Sequence, residues 1–298
     1  ALAQAQSPAV GAISPESVAN DALGTLSPES LSQLLYLGNL PGSSGSSMMG
    51  IANAIGFSPN MFAGPPPPSP EPNPNISETK VIGVTERDGR YERWLIDSGD
   101  MKRGITVEVY RAPNPDAPFL YLLDGEGSEL PSGFMQWGAA EQFANQNVNL
   151  IIPTGGQGSM WADWNVQDPV LGISKWEKFI TQDLPKHLEP RVSNNPNRAI
   201  GGISMGAGAA MTMATRNPEL YKGVFGVSGC YSTDALGQIL TRYTVESRGA
   251  NLTNMWGEPG NAQWVAHDAL INAEQLRNKA IYLSSGTGVA NPGDWAAY

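Results

Sequence analysis

One stretch constrains this chain more than any other: Arg198-Ala-Ile-Gly-Gly-Ile-Ser204-Met205-Gly206-Ala-Gly-Ala-Ala-Met-Thr-Met-Ala. Inside it lies Gly202-Ile-Ser204-Met-Gly206, a G-x-S-x-G. The apolar run Ala199 to Ile203 before it reads as a strand, and Met205 to Arg216 after it reads as a helix stopped by Asn217-Pro218. A serine on so tight a strand-to-helix turn is held in a strained conformation with its hydroxyl exposed. The flanking glycines let strand and helix approach where a β-carbon would clash. The positive end of the helix dipole then sits where an oxyanion would form. Ser204 is therefore the candidate nucleophile.

Composition narrows the partners. A net charge of −10 argues against nucleic acid and anionic membrane surfaces. Thirty-four glycines and 24 prolines imply long loops. The single cysteine, Cys230, rules out an intrachain disulfide and a cysteine-based metal site. No apolar run reaches membrane-spanning length, and no cofactor motif is present. The start at Ala1-Leu-Ala, without Met, fits a mature secreted protein after removal of its leader.

Along the chain, residues 1–63 are rich in Ala, Ser, Gly and Leu. Ser14-Pro15-Glu16-Ser17 and Ser27-Pro28-Glu29-Ser30 each read as a helix start, with Ser as N-cap and Pro at the first helical position. These residues are expected to form a helical appendage or a partly disordered tail. Residues 64–75 form a proline-rich spacer, and residues 76–298 the catalytic domain. In that domain Lys80–Thr85, Glu92–Asp97 and Ile105–Arg111 alternate as antiparallel strands do. Pro118–Leu123 and Val148–Pro153 are continuous apolar runs suited to buried parallel strands. Trp176 to Leu188 reads as an amphipathic helix with Trp176, Phe179, Ile180 and Leu184 on one face. A strand at Gly223–Ser228, a helical stretch at Trp264–Leu276 and a strand at Ala280–Ser285 complete a mostly parallel α/β sheet.

Strand, G-x-S-x-G turn and helix together are the nucleophile elbow of α/β-hydrolases. Acyl transfer by serine also needs oxyanion donors, a base and an orienting acid. The first donor is the backbone N–H of Met205. The second should come from the loop after the early central strand, here Asp124-Gly125-Glu126-Gly127-Ser128, which makes the N–H of Glu126 the candidate. The base should follow the last strands. His187 precedes the elbow, and His267 lies in the helical stretch before the last visible strand, where a half-exposed helix position is expected of it. Asp294 sits in the loop where a triad acid often lies, although a solvated loop role suits it better. The general base is thus expected outside this sequence, with the C-terminal end of the fold missing and apolar surface exposed in consequence.

Several segments in order carry a resemblance. They are Tyr121-Leu-Leu-Asp-Gly125, Pro153-Thr-Gly-Gly-Gln157 with Trp161-Ala-Asp-Trp164, Lys175-Trp-Glu177 with Asp183-Leu-Pro185, Gly202-Ile-Ser-Met205, and Asn254-Met-Trp-Gly257. Over roughly residues 92–290 the chain resembles the mycolyltransferases, the mycobacterial antigen-85 proteins and their corynebacterial relatives. The resemblance implies a secreted, cell-envelope α/β-hydrolase without cofactor or metal. Such an enzyme moves a mycolic acyl chain from trehalose monomycolate to a second trehalose monomycolate or to arabinogalactan, through an acyl-serine. It assigns Ser204 as nucleophile, Met205 and Glu126 as oxyanion donors and Asp124 as a sugar contact, and places the acid and histidine beyond Tyr298. Asp163 and the neighbouring tryptophans support the fold.

Departures are as informative. Gly127 stands where the family has a sugar-binding arginine, Gly226 where it has a sugar-contacting serine, and Ser284 where mycobacterial members have a cysteine. His267 matches a non-catalytic position. Two other functions remain open on sequence: a secreted carboxylesterase, and a non-catalytic carbohydrate- or matrix-binding protein on the same scaffold.

Overall fold

The structure, a computed structural model, describes residues 71–285. The expectations for residues 1–63, for the spacer up to residue 70 and for Asp294 lie outside the described residues. The end of the spacer is tied to the domain rather than free. The Asn73 N–H donates to the Lys102 carbonyl at 2.7 Å, and a turn closes from Ile76 back to Asn73.

Among the described residues, eight strands form one sheet in the order β1-β2-β3-β5-β4-β6-β7-β8. β1 (Lys80–Asp88), β2 (Tyr91–Ser98) and β3 (Arg103–Tyr110) form an antiparallel meander that joins β5 (Asn149–Pro153) antiparallel. From β5 onward every pair is parallel, through β4 (Phe119–Leu123), β6 (Arg198–Ile203), β7 (Gly223–Val227) and β8 (Ala280–Ser284). All eight strand assignments made from the sequence therefore hold, with ends shifted by at most three residues.

β4 is apolar along its whole length because both its faces are covered. Phe119, Tyr121 and Leu123 join the main core with Ile200, Met211 and Met213, whereas Leu122 packs on the other face with Leu150 and Ile152. Trp164, Val245, Leu252, Met255, Trp256 and Trp264 form a separate cluster of buried residues. Among the described strands β8 is the last of the sheet, with Ile281, Tyr282 and Leu283 exposed, as are Leu270 and Ile271 before it.

Two helical expectations change. The stretch from Trp176 buries Trp176, Phe179, Ile180 and Leu184 as expected, but its turns at Phe179–Asp183 are wider, π-type. Pro185 has no N–H to offer the Thr181 carbonyl, and losing that bond lets the ladder widen there. The stretch Trp264–Leu276 is not one helix. It is a short helix, Ala262–Ala266, and a 3₁₀ turn, Ala273–Leu276. Asp268 breaks it, because its buried carboxylate accepts from the Ile271 N–H and from the N–H and hydroxyl of Thr233. His267 follows that short helix and is buried, 8% exposed, rather than half-exposed. A full helix that the sequence reading passed over, Ala235–Glu246, is capped by Asp234.

Candidate active site

The register between β4 and β6 builds the site. Leu123 pairs with Gly202, so the two strands end level and the Asp124–Ser128 loop lies beside the turn at Ser204. Ser204 has φ 53° and ψ −120°, a strained conformation for a residue with a β-carbon. Its N–H donates to the Val227 carbonyl at 2.9 Å, and its carbonyl accepts from Ala207 and Gly208. Neighbours on both sides thus hold the strain in place.

The glycines of the motif are required by contact. A β-carbon on Gly202 would stand 2.4 Å from the Gly206 backbone, and one on Gly206 would stand 2.0 Å from the Leu123 oxygen and 2.5 Å from the Asp124 oxygen. Across the gap, a β-carbon on Gly125 would lie 3.5 Å from the Ser204 Cβ and 4.0 Å from its Oγ. Elbow and loop therefore touch at Gly125 and Ser204, with Asp124 and Glu126 on either side of Gly125 in the chain and Met205 next after Ser204. Met205 opens the helix Met205–Arg216, where N–H groups lack intrahelical acceptors.

The loop is stitched to the segment that follows β5. The Asp124 carbonyl accepts from the Trp161 indole at 2.9 Å, the Glu126 carbonyl from the Gly158 N–H at 3.2 Å, and the Ser128 carbonyl from the Gly155 N–H at 3.0 Å. Sequence reasoning gave Glu126 a role for its backbone alone. Its side chain forms a buried two-bond ion pair with Arg248, from Nε to Oε1 and from Nη2 to Oε2 at 2.7 Å, with both residues 6% exposed. Burial holds the Arg248 guanidinium below its ordinary pKa. Nothing local in the sequence signals this pair, since 122 residues separate its members.

Asp124 is 2% exposed. Its Oδ2 accepts from the Gly133 N–H at 3.0 Å, while Oδ1 has no partner among the described residues. Burial pushes its carboxyl up to about 6, against the pull of the Gly133 and Phe134 N–H groups. In this conformation the side chain braces the loop, with one acceptor oxygen to spare.

The departures have structural counterparts. A β-carbon at Gly127 would meet nothing within 4 Å. At Gly226 the Tyr231 hydroxyl lies 2.4 Å from where a β-carbon would stand, so Tyr231 fills the space of a larger residue. Ser284 closes β8, and its carbonyl accepts from the Ser228 N–H.

Ser204 Oγ has no side-chain hydrogen-bond partner among the described residues. His267 is engaged elsewhere: its Nδ1 lies 2.7 Å from the Gln263 carbonyl, its ring stacks on Trp256 at 3.9 Å, and its Nε2 is 3.6 Å from Glu177. Burial raises the Glu177 carboxyl, but His267 and Arg216 more than reverse this and leave it below its ordinary value. His187 ends the Leu184–His187 helix, before the elbow. The Asp163 carboxylate accepts from the Lys178 N–H and its backbone forms an isolated antiparallel β-bridge with Lys175, while Trp161 and Trp164 are buried, as expected of fold-supporting residues. No cluster of metal-ligating side chains occurs among the described residues, and no helix there is long and apolar enough to cross a membrane.

Sheet order, elbow and adjoining loop define an α/β-hydrolase. The family described as putative esterase matches residues 98–296, and the chain belongs to it. Mycolyltransferases are among the relatives of this chain. It is 28% identical over 228 residues to the diacylglycerol acyltransferase/mycolyltransferase Ag85A of Mycobacterium tuberculosis, which covers 72% of this chain. The chain spans 66% of that relative's length. It is 29% identical to Ag85B of Mycolicibacterium smegmatis over 71% of this chain and 70% of that one. The crystal structure of MPT51 from M. tuberculosis shares the fold, with a TM-score of 0.60 at 24% identity over 70% of this chain and 79% of that one. So does the serine hydrolase FphF of Staphylococcus aureus, with a TM-score of 0.53 at 16% identity over 70% and 83%.

Proposed function

We propose that this chain carries the acyl-transfer site of a mycolyltransferase. The observation that carries the reading is the strained Ser204 turn packed against the Gly125 loop, in a chain with mycolyltransferases among its relatives. In the proposed reaction the Ser204 hydroxyl attacks the ester carbonyl of trehalose monomycolate. The N–H groups of Met205 and Glu126 accept the charge that develops on the carbonyl oxygen, where each such donor contributes about 3–4 kcal/mol. Collapse releases trehalose and leaves the acyl chain on Ser204. A sugar hydroxyl of a second trehalose monomycolate, or of arabinogalactan, then takes the chain.

The proton acceptor for Ser204 is not among the described residues. Asp124 is proposed as a sugar contact; at 2% exposure its carboxylate has to turn outward before it can accept from a sugar hydroxyl. Because Gly127 lacks the family's arginine, acceptor binding rests on fewer charged contacts than in the antigen-85 proteins. The protein is proposed to work in the cell envelope after secretion, as a domain of residues 76–298 preceded by an appendage at 1–63 and a spacer at 64–75.

The test is incubation of the full-length protein with trehalose monomycolate. Trehalose dimycolate should form, and the Ser204→Ala protein should form none. A second reading, carboxylesterase, is favoured by the family description itself. Steady hydrolysis of simple esters, with no transfer to added trehalose, would replace the first reading with that one.

A further inference from the structure

A cavity of about 380 Å³ lies where β3 begins and β5 ends, with Arg103, Ser128 and Gln157 in its wall. That volume is within the range of small-molecule sites. Ser128 stands two residues after Glu126, so the cavity adjoins the proposed oxyanion loop without including Ser204.

Arg103 is the unusual member. Its Nη1 donates to the carbonyl oxygens of Ile173 at 3.1 Å and Leu171 at 3.4 Å, and the guanidinium lies 5.7 Å from the Trp176 ring centroid. No carboxylate pairs with it among the described residues. Burial alone lowers its pKa to about 10, with no acid to offset the loss of water. A guanidinium has five N–H donors. Its Nε–Nη2 edge, the one that grips a carboxylate through two parallel bonds, holds only a 3.8 Å contact from Nη2 to the Met101 sulfur. Gln157, on the same wall, has a side-chain amide with no hydrogen-bond partner among the described residues. The rest of the wall includes Leu130, Val170 and Leu171, which offer apolar surface.

Arg103 is half-buried, and a partly desolvated cation without a counter-ion gains when an anion is placed against it. We propose that this cavity binds a small carboxylate with an apolar body, gripped by the open edge of Arg103, with Gln157 as second donor and Leu130, Val170 and Leu171 around the body. This inference does not depend on the acyl-transfer reading.

The test is titration of the full-length protein by calorimetry with benzoate, with benzyl alcohol as its neutral counterpart and inorganic phosphate as an oxyanion without an apolar body. Benzoate should bind at millimolar concentration. A charge-assisted pair implies that both benzyl alcohol and the Arg103→Gln protein bind at least about tenfold more weakly. Leu130, 45% exposed, lies on the wall. Leu130→Trp should narrow the cavity and weaken benzoate similarly, and this variant decides the matter if Arg103→Gln fails to fold. Unchanged benzoate affinity in both variants, equal binding of benzyl alcohol, or no benzoate binding to the parent protein would overturn the proposal. Phosphate binding as tightly as benzoate would overturn the assignment to carboxylates.

Discussion

Replacing Gly206 with alanine should damage the protein although alanine is the better helix former. In a helix interior, Gly→Ala ordinarily stabilises by about 0.5–1 kcal/mol. Here the added β-carbon would stand 2.0 Å from the Leu123 oxygen, against the 3.0 Å below which such contacts essentially never occur, so backbone must move by at least 3.0 − 2.0 = 1.0 Å. The obstacle is main chain in a paired strand and cannot swing aside. Overpacking of this kind costs about 1–3 kcal/mol, which outweighs the propensity gain. The movement also separates the elbow from the Asp124–Ser128 loop, and a displacement of about 1 Å at a reacting centre costs roughly a hundredfold in rate. The assay compares urea midpoints and the rate of Ser204 modification by a fluorophosphonate in the parent and Gly206→Ala proteins. A lower midpoint with labelling slowed by roughly two orders of magnitude is expected. A midpoint equal to or above the parent's, with labelling unchanged, would refute the close packing described for this turn.

Two further outcomes follow from the loop. Arg248→Met leaves the Glu126 carboxylate buried and unpaired, which should cost about 3–5 kcal/mol in chemical unfolding, and the double variant Glu126→Leu/Arg248→Met should regain most of that loss. For Asp124, the folded carboxyl titrates at about 6, above its ordinary 3.8, so the native state holds the proton more tightly than the unfolded chain. Its contribution to stability is therefore fully present below about pH 3.8 and lost as pH rises through about 6. Asp124→Asn should be free of that loss, and its stability relative to the parent should rise across this window by about 3 kcal/mol at most, measured as urea midpoints at each pH.

The fold was legible where periodicity and burial agree. β4 and β5 read as unbroken apolar runs because both sheet faces are covered, and the meander β1–β3 showed its alternation. The elbow was legible because its chemistry is local: glycine, serine and glycine within five residues, on a turn that admits little else. The break at Asp268 was not, since it depends on hydrogen bonds to Thr233, 35 residues away. Likewise the Glu126–Arg248 pair and the Trp161 indole on the Asp124 carbonyl join segments far apart in sequence, and their geometry exists only once the sheet has set the loops side by side. The burial of His267 against Trp256 and Glu177 arises in the same way. A sequence can name the residue that must stand exposed on a turn more readily than the residues that brace it.

The most direct test of the central claim is the intact mass of the full-length protein after reaction with a fluorophosphonate, followed by peptide mapping. The account predicts one adduct per chain, located on Ser204 and absent from the Ser204→Ala protein. No adduct, or an adduct on any other residue, would contradict the assignment of Ser204 as the nucleophile.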